Sequence, residues 1–176
     1  ETNFIPRFYL DCSVSLEIVN SLIIAGAGVI YMPANKYMEG TCWRFLGACD
    51  DEVEVMISRD TDCRISSRET AAVEQWMRSE KKFHLMRDAT NHHARNMKIL
   101  AGLWGIKRGL LSDSMKDGII EFVVGCSEKL KDTKIGLHRM IDQYYLNQII
   151  YPYVKSSMMV HNYPLKMAFE NDAVVF

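Results

Sequence analysis

Asp60 and Asp62 stand one residue apart in the run Ile57–Glu69, ISRDTDCRISSRE, with Arg59, Arg64 and Arg68 around them. Two carboxylates this close repel unless a cation lies between them or one of them is protonated. Oxygen ligands of this kind suit Mg²⁺ or Mn²⁺, whose coordination is completed by phosphates and water. Guanidinium forks match phosphate and carboxylate oxygens. Acids interleaved with arginines therefore suit a metal-bound phosphate ester. The residues alone leave two alternatives open. The aspartates also suit an Asx-turn with local ion pairing, or the nucleophile pair of a phosphatase. Phosphatases of the haloacid-dehalogenase type run apolar up to the first aspartate and follow the second with Gly-Thr. Here Ser58–Arg59 precede and Cys63–Arg64 follow, which weighs against that reading.

The surrounding pattern supplies elements to position these groups. Val53, Val55 and Ile57 alternate with Glu52, Glu54, Met56 and Ser58, the period of a strand that delivers Asp60 to a sheet edge. Ser66 and Glu69 form a capping box, and Ala72, Val73, Trp76 and Met77 make the buried stripe of the helix that follows. Lys82–Arg87 is a second strand ending in Arg-Asp, at Arg87–Asp88. In open α/β sheets, ligands sit beyond the carboxyl ends of strands, so Asp88 and Arg87 join the candidate site.

Upstream, Arg7–Cys12, Ser15–Ala25 and Val29–Met32 read as strand, helix and strand, and Thr41–Ala48 as a short helix. The AGAG at Ala25–Gly28 follows a helix rather than a strand and is a helix stop, not a dinucleotide fingerprint. Downstream, Arg95–Leu103 and Ser112–Leu130 read as helices separated by Gly102, Gly105 and Gly109. His138–Tyr151 is an amphipathic helix stopped by Pro152, and Met158–Phe176 is short strands and turns. Trp104 is either a sugar-stacking surface or core. The expected fold is a single α/β domain over residues 1–176, with a mixed, mostly parallel sheet flanked by helices.

Composition narrows the class. Hydrophobic residues make up 48% and charged residues 24%, ordinary for a globular chain. A net charge of −1 and a pI near 6.6 argue against a nucleic-acid surface. No apolar run reaches the roughly 20 residues that span a bilayer. Five cysteines without a CxxC pair suit reduced, mostly buried thiols in a cytoplasmic compartment.

The ordered set Trp43–Phe45 (WRF), Asp60-x-Asp62, the strand ending at Asp88, Asp142–Asn147 (DQYYLN) and a late His161 resembles the GT-A glycosyltransferases. Order and spacing resemble the retaining enzymes related to glycogenin and to the bacterial lipopolysaccharide galactosyltransferases. The longer runs WRFLGACDDEVEVMISRDTDCRISSRE, KKFHLMRDATNHH and LAGLWGIKRG look closer still to glycosyltransferase domains of large algal viruses, the chlorella-virus capsid-glycan type. The resemblance covers about Arg7 to Tyr163.

The resemblance implies a role for each matching residue. Asp60 and Asp62 would hold Mn²⁺ or Mg²⁺ on the diphosphate of a UDP-sugar, with His161 as the remaining protein ligand. Arg44 would reach into the sugar site, Asp88 would bind sugar hydroxyls, and Asp142 and Gln143 would lie beside the anomeric carbon. By residue chemistry rather than by the resemblance, Arg59, Arg64, Arg68 and Arg87 are candidates to bind the nucleotide sugar, ion pairing with neighbours being the alternative for some of them. The implied reaction is a retaining transfer of a hexose or deoxyhexose, glucose or rhamnose type, to a glycan such as that of a viral capsid glycoprotein. It would take place in the cytoplasm, the host's if the protein is viral, with no nucleic acid and no membrane span. Two departures stand out. Asn162 follows His161 where the glycogenin-like enzymes have a nearby glycine, and the strand and helix that usually open the fold are expected upstream of Glu1. The rival expectations are a non-catalytic sugar-binding module on the same fold and a Mg²⁺-dependent phosphohydrolase.

Overall fold

The computed structural model describes residues 4–34, 39–87, 97–131, 140–162 and 174–175. It is an α/β structure with two sheets. The first is a parallel pair, β1 (Arg7–Leu10) and β2 (Gly28–Tyr31), joined by α1 (Leu16–Ile24). Ser15 caps α1, accepting from the Ile18 N–H at 3.4 Å. The helix stops at Gly26, whose φ of +84° lets Gly26 and Ala27 donate back to the Ile23 and Leu22 carbonyls. The AGAG run is therefore a helix stop, as its position after a helix implied.

A 3₁₀ turn, Glu39–Phe45, leads into the one-turn helix α2 (Leu46–Cys49) and then β3 (Val55–Arg59). Next come α3 (Ser67–Met77), β4 (Phe83–Arg87), β5 (Leu103–Lys107) and α4 (Asp113–Lys131). The helix α5 begins at Ile141–Tyr145, widens into a π-helical stretch at Leu146–Ile150 and continues through Tyr151–Val154. Pro152 lies inside this last segment, so it does not end the helix. The wide turn before it relieves the clash that a proline ring makes with the carbonyl four residues back. Then come β6 (Met158–Asn162) and β7 (Val174–Val175).

The second sheet has the order β3-β5-β4-β6-β7. β5 is antiparallel to both β3 and β4, whereas β4–β6 and β6–β7 are parallel. The sheet is thus evenly mixed rather than mostly parallel. The difference lies in β5. Glycines at 102, 105 and 109 suggested a loop, and 95–103 suggested a helix; residues 97–102 instead turn into a strand. Gly105 is there for close approach: a Cβ on it would meet the Trp76 ring at 3.0 Å and the Met56 carbonyl at 3.1 Å.

The two faces are covered differently. On one, Trp76 of α3 is fully buried, lies over Gly105 and stacks on His84 at 5.2 Å between centroids. Lys107 Nζ donates to the carbonyls of Trp76, Met77 and Ser79 at the end of α3. On the other face, Phe83, Leu85, Trp104 and Val160 pack with Phe45, Phe122, Leu146 and Ile150. Trp104 is 2% exposed and stacks on Phe83, so it is core and not a sugar platform. Every residue of β4 is buried, as a central strand covered on both faces requires. Among the described residues, no helix is long and apolar enough to cross a membrane.

Candidate functional site

β3, β4 and β6 run the same way, so their carboxyl ends share one edge of the sheet; β5 begins at that edge. The register pairs Arg59 with Leu103, which brings Asp60 opposite Gly102. A Cβ on Gly102 would stand 2.2 Å from Asp60 Oδ2, so the carboxylate lies directly on the glycine. The 3₁₀ turn places Arg44 on the other side of Asp60. Its Nη1 donates to Asp60 Oδ1 at 2.9 Å, its Nε donates to the Thr41 carbonyl at 2.8 Å, and the same Nε lies 3.5 Å from Asp142 Oδ2 on α5. One guanidinium therefore joins two acids 82 residues apart in the chain.

Asp142 is 4% exposed. Burial pushes its pKa above the ordinary carboxylate value; Arg44 and the Gln143 N–H, which donates to Oδ1 at 2.7 Å, pull it back down. Gln143 does not present its amide to a ligand. Its Nε2 donates to the Ile99 carbonyl, and its Oε1 accepts from the Ala101 N–H at 3.1 Å. Asn147, one turn on, accepts from the Lys98 and Ile99 N–H groups and donates to the Ile99 carbonyl at 3.1 Å. Together these two amides clamp the segment 98–101. Arg87 donates to the Lys98 carbonyl, and Ser58 Oγ donates to the Ala101 carbonyl at 2.9 Å. That segment and Gly102 form one wall of a cleft of about 330 Å³, lined also by Asp60, Arg64, Glu69 and Gln143.

The expected site residues therefore divide. Asp60, Arg64 and Gln143 line the cleft, Arg44 and Asp142 connect to it through the Arg44–Asp60 pair, and Asp62 is exposed in the same turn as Asp60. Arg68 is half-buried at the start of α3. Arg59 pairs with Glu69 and donates to the Ser58 carbonyl at 2.6 Å. It turns toward α3, and the Glu69 side chain that was to close the capping box goes to Arg59 instead. Only the Ser66 half of that box forms, Oγ accepting from the Glu69 N–H at 3.2 Å. Arg87 is fully buried, with Nη1 donating to Asn162 Oδ1 at 3.1 Å; its bonds hold the sheet edge and the clamped segment rather than facing the cleft. Asp88 lies outside the described residues.

His161 is 1% exposed on the α3 face. Its Nδ1 meets His84 Nε2 at 2.9 Å and its Nε2 meets Gln75 Oε1 at 3.2 Å. Burial lowers its pKa to about 4 and that of His84 well below the usual value, His161 and Arg59 adding to the effect on His84. Strand alternation explains the placement: His84, His161 and Arg59 all project to the face opposite the Phe83–Trp104 core. Among the described residues, the group with ligand atoms within 4.8 Å of one another is Asp60, Asp62 and Cys63, all exposed; His161 is not in it. The two carboxylates offer the hard oxygens that Mn²⁺ or Mg²⁺ takes, so the donor set fits such an ion with fewer protein ligands than expected.

No family model matches the chain, and no curated protein or solved structure does either.

Gly102, Asn147 and the 98–101 segment had no assigned role in the sequence. The available signal was two amides, Gln143 and Asn147, four residues apart on one helical face.

Proposed function

We propose that the chain is a metal-dependent, retaining glycosyltransferase of GT-A-like fold that uses a UDP-sugar donor. The observation carrying this reading is that Asp60 and Arg64 line one cleft while Arg44 links Asp60 to the buried Asp142. Asp60 and Asp62 would hold Mn²⁺ or Mg²⁺, which when bound supplies charge stabilisation to the departing diphosphate. Arg64 adds a guanidinium on the cleft side for phosphate oxygens. Asp142, oriented by Arg44 and by the Gln143 N–H, offers a carboxylate of the kind that balances positive charge building on a sugar. Gln143 and Asn147 act one step back by fixing the cleft wall. Glu69 lines the cleft but is tied up by Arg59, so it is poorly placed to serve as the base an inverting enzyme needs. That supports the retaining course, in which the leaving diphosphate can take the acceptor's proton. From the sequence resemblance, the donor sugar is of the glucose or rhamnose type, and the acceptor is a growing protein-linked glycan such as that of a viral capsid.

The test is UDP release from a panel of UDP-sugars with Mn²⁺, with Mg²⁺ and in EDTA. Metal-dependent release, lost in Asp60→Ala, supports the proposal. Turnover surviving EDTA sinks the metal role. Glycan binding without metal-dependent UDP binding, read by calorimetry, would instead mark a non-catalytic sugar-binding module.

A further inference from the structure

Cys42 and Cys126 are both fully buried, and their Sγ atoms are 3.1 Å apart, although 84 residues separate them in the chain. Cys42 belongs to the 3₁₀ turn that carries Arg44; Cys126 belongs to α4. Both sit in the main core with Trp104 and Phe122, and the described chain contains no disulfide there. A disulfide needs its sulfurs about 2.05 Å apart. Roughly one ångström of closure separates this thiol pair from a covalent bond. The remaining cysteines are placed differently: Cys12 and Cys63 are exposed and Cys49 is half-buried.

We infer that Cys42 and Cys126 form a disulfide site, oxidised by a low-molecular-weight disulfide, that locks the Arg44-bearing turn onto α4. One cysteine thiolate attacks the small disulfide and expels one small thiol, leaving a mixed disulfide. The second cysteine thiolate attacks the protein sulfur of that mixed bond and expels the second small thiol. The protein loses two protons and two electrons, and the small disulfide gains them as it becomes two thiols. Cys126 and burial both raise the Cys42 pKa, so little thiolate exists in the closed fold. Exchange therefore proceeds through local opening of the turn or during folding. The bond then closes a loop of more than 80 residues, the long-loop case in which cross-linking restricts the unfolded chain most. The inference is independent of the reading of the Asp60–Asp142 cleft, since it rests on a sulfur pair and not on any ligand.

The test uses the whole chain, refolded and then held in oxidised and reduced glutathione across a range of ratios. Samples are acid-quenched, alkylated in denaturant, digested and weighed. The expected result is a cross-linked peptide pair containing Cys42 and Cys126, lighter by two hydrogens than the two reduced peptides. With it should come a rise in melting temperature of about 5–10 °C over the reduced chain. Cys126→Ser should abolish both the cross-link and the rise. Full alkylation of Cys42 and Cys126 under conditions that glutathionylate Cys12 and Cys63, even after refolding in the same buffer, overturns the inference. So does a cross-linked chain that melts no higher than the reduced one.

Discussion

Asp60 and Asp142 are held by the same side chain: Arg44 donates to Asp60 at 2.9 Å while its Nε stands 3.5 Å from Asp142. Asp60 is half-exposed and Asp142 is 4% exposed, so the guanidinium balances one acid open to ligands and one that burial already penalises. Removing Arg44 leaves Asp142 as an uncompensated buried charge. Arg44→Ala should cost about 2 kcal/mol of stability. Adding Asp142→Asn in that background should return part of the loss. Urea denaturation of the two single variants and the double variant reads the coupling. Single-variant effects that add within about 0.5 kcal/mol would show that the pair is not energetically linked.

Gly102 sets where the Asp60 carboxylate lies. In Gly102→Ala the new Cβ would fall 2.2 Å from Oδ2 and 2.5 Å from Cγ, so the short Asp60 side chain has to leave its place beside Arg44. The expected outcome is a properly folded variant with metal-dependent turnover reduced about 100-fold, the scale of a 1 Å misplacement at a reacting centre. Circular dichroism checks the fold, and UDP release checks the activity. Wild-type turnover in this variant would show that Asp60 works from another position.

Asn147 is the outer half of the amide clamp on 98–101. Asn147→Ala removes the acceptor used by two backbone N–H groups and should cost about 2 kcal/mol. Hydrogen exchange at Lys98 and Ile99 should quicken, while amides in β4 stay protected. Unchanged exchange at these two positions would mean that Arg87 and Gln143 hold the segment without it.

Acid should weaken the fold through the His84–His161 pair. An unfolded histidine takes its proton near pH 6.5, whereas folded His161 waits until about 4 because it is buried. Across that window the unfolded state binds more protons, so stability is complete above about pH 6.5 and falls as pH drops toward 4. For His161 alone the loss amounts to about 3 kcal/mol, with His84 acting in the same direction. Asp142 has the opposite sign. Its raised pKa makes the folded carboxyl bind a proton before an unfolded one, which returns stability only as the carboxylate range is approached. Urea midpoints at about pH 7.5 and about pH 5 should fall in that order, and His161→Gln should flatten the difference. Equal midpoints in the wild type would contradict the pair's lowered affinity for protons.

Most elements around Asp60 are legible in the residue pattern, because their signals are local. Alternation marks β3, the Ser66 cap marks α3, and Gly26 ends α1 whatever lies around it. The resemblance carried by the ordered motifs also put Asp60, Arg44, Asp142 and Gln143 forward together, and in the fold Arg44 links Asp60 to Asp142. The tertiary structure decided what depends on pairing across the sheet. Leu103–Lys107 becomes a strand because Trp76 needs the bare backbone of Gly105, a long-range requirement that a glycine-rich stretch does not reveal locally. Strand register then chose which charged groups face the cleft. Arg59 and His161 sit on strands whose alternation turns them toward α3, and Arg87 is spent on the Lys98 carbonyl and Asn162. Residue type says what a group is able to bind. Only the two-residue period of each strand, fixed by its neighbours, says on which side of the sheet it binds it.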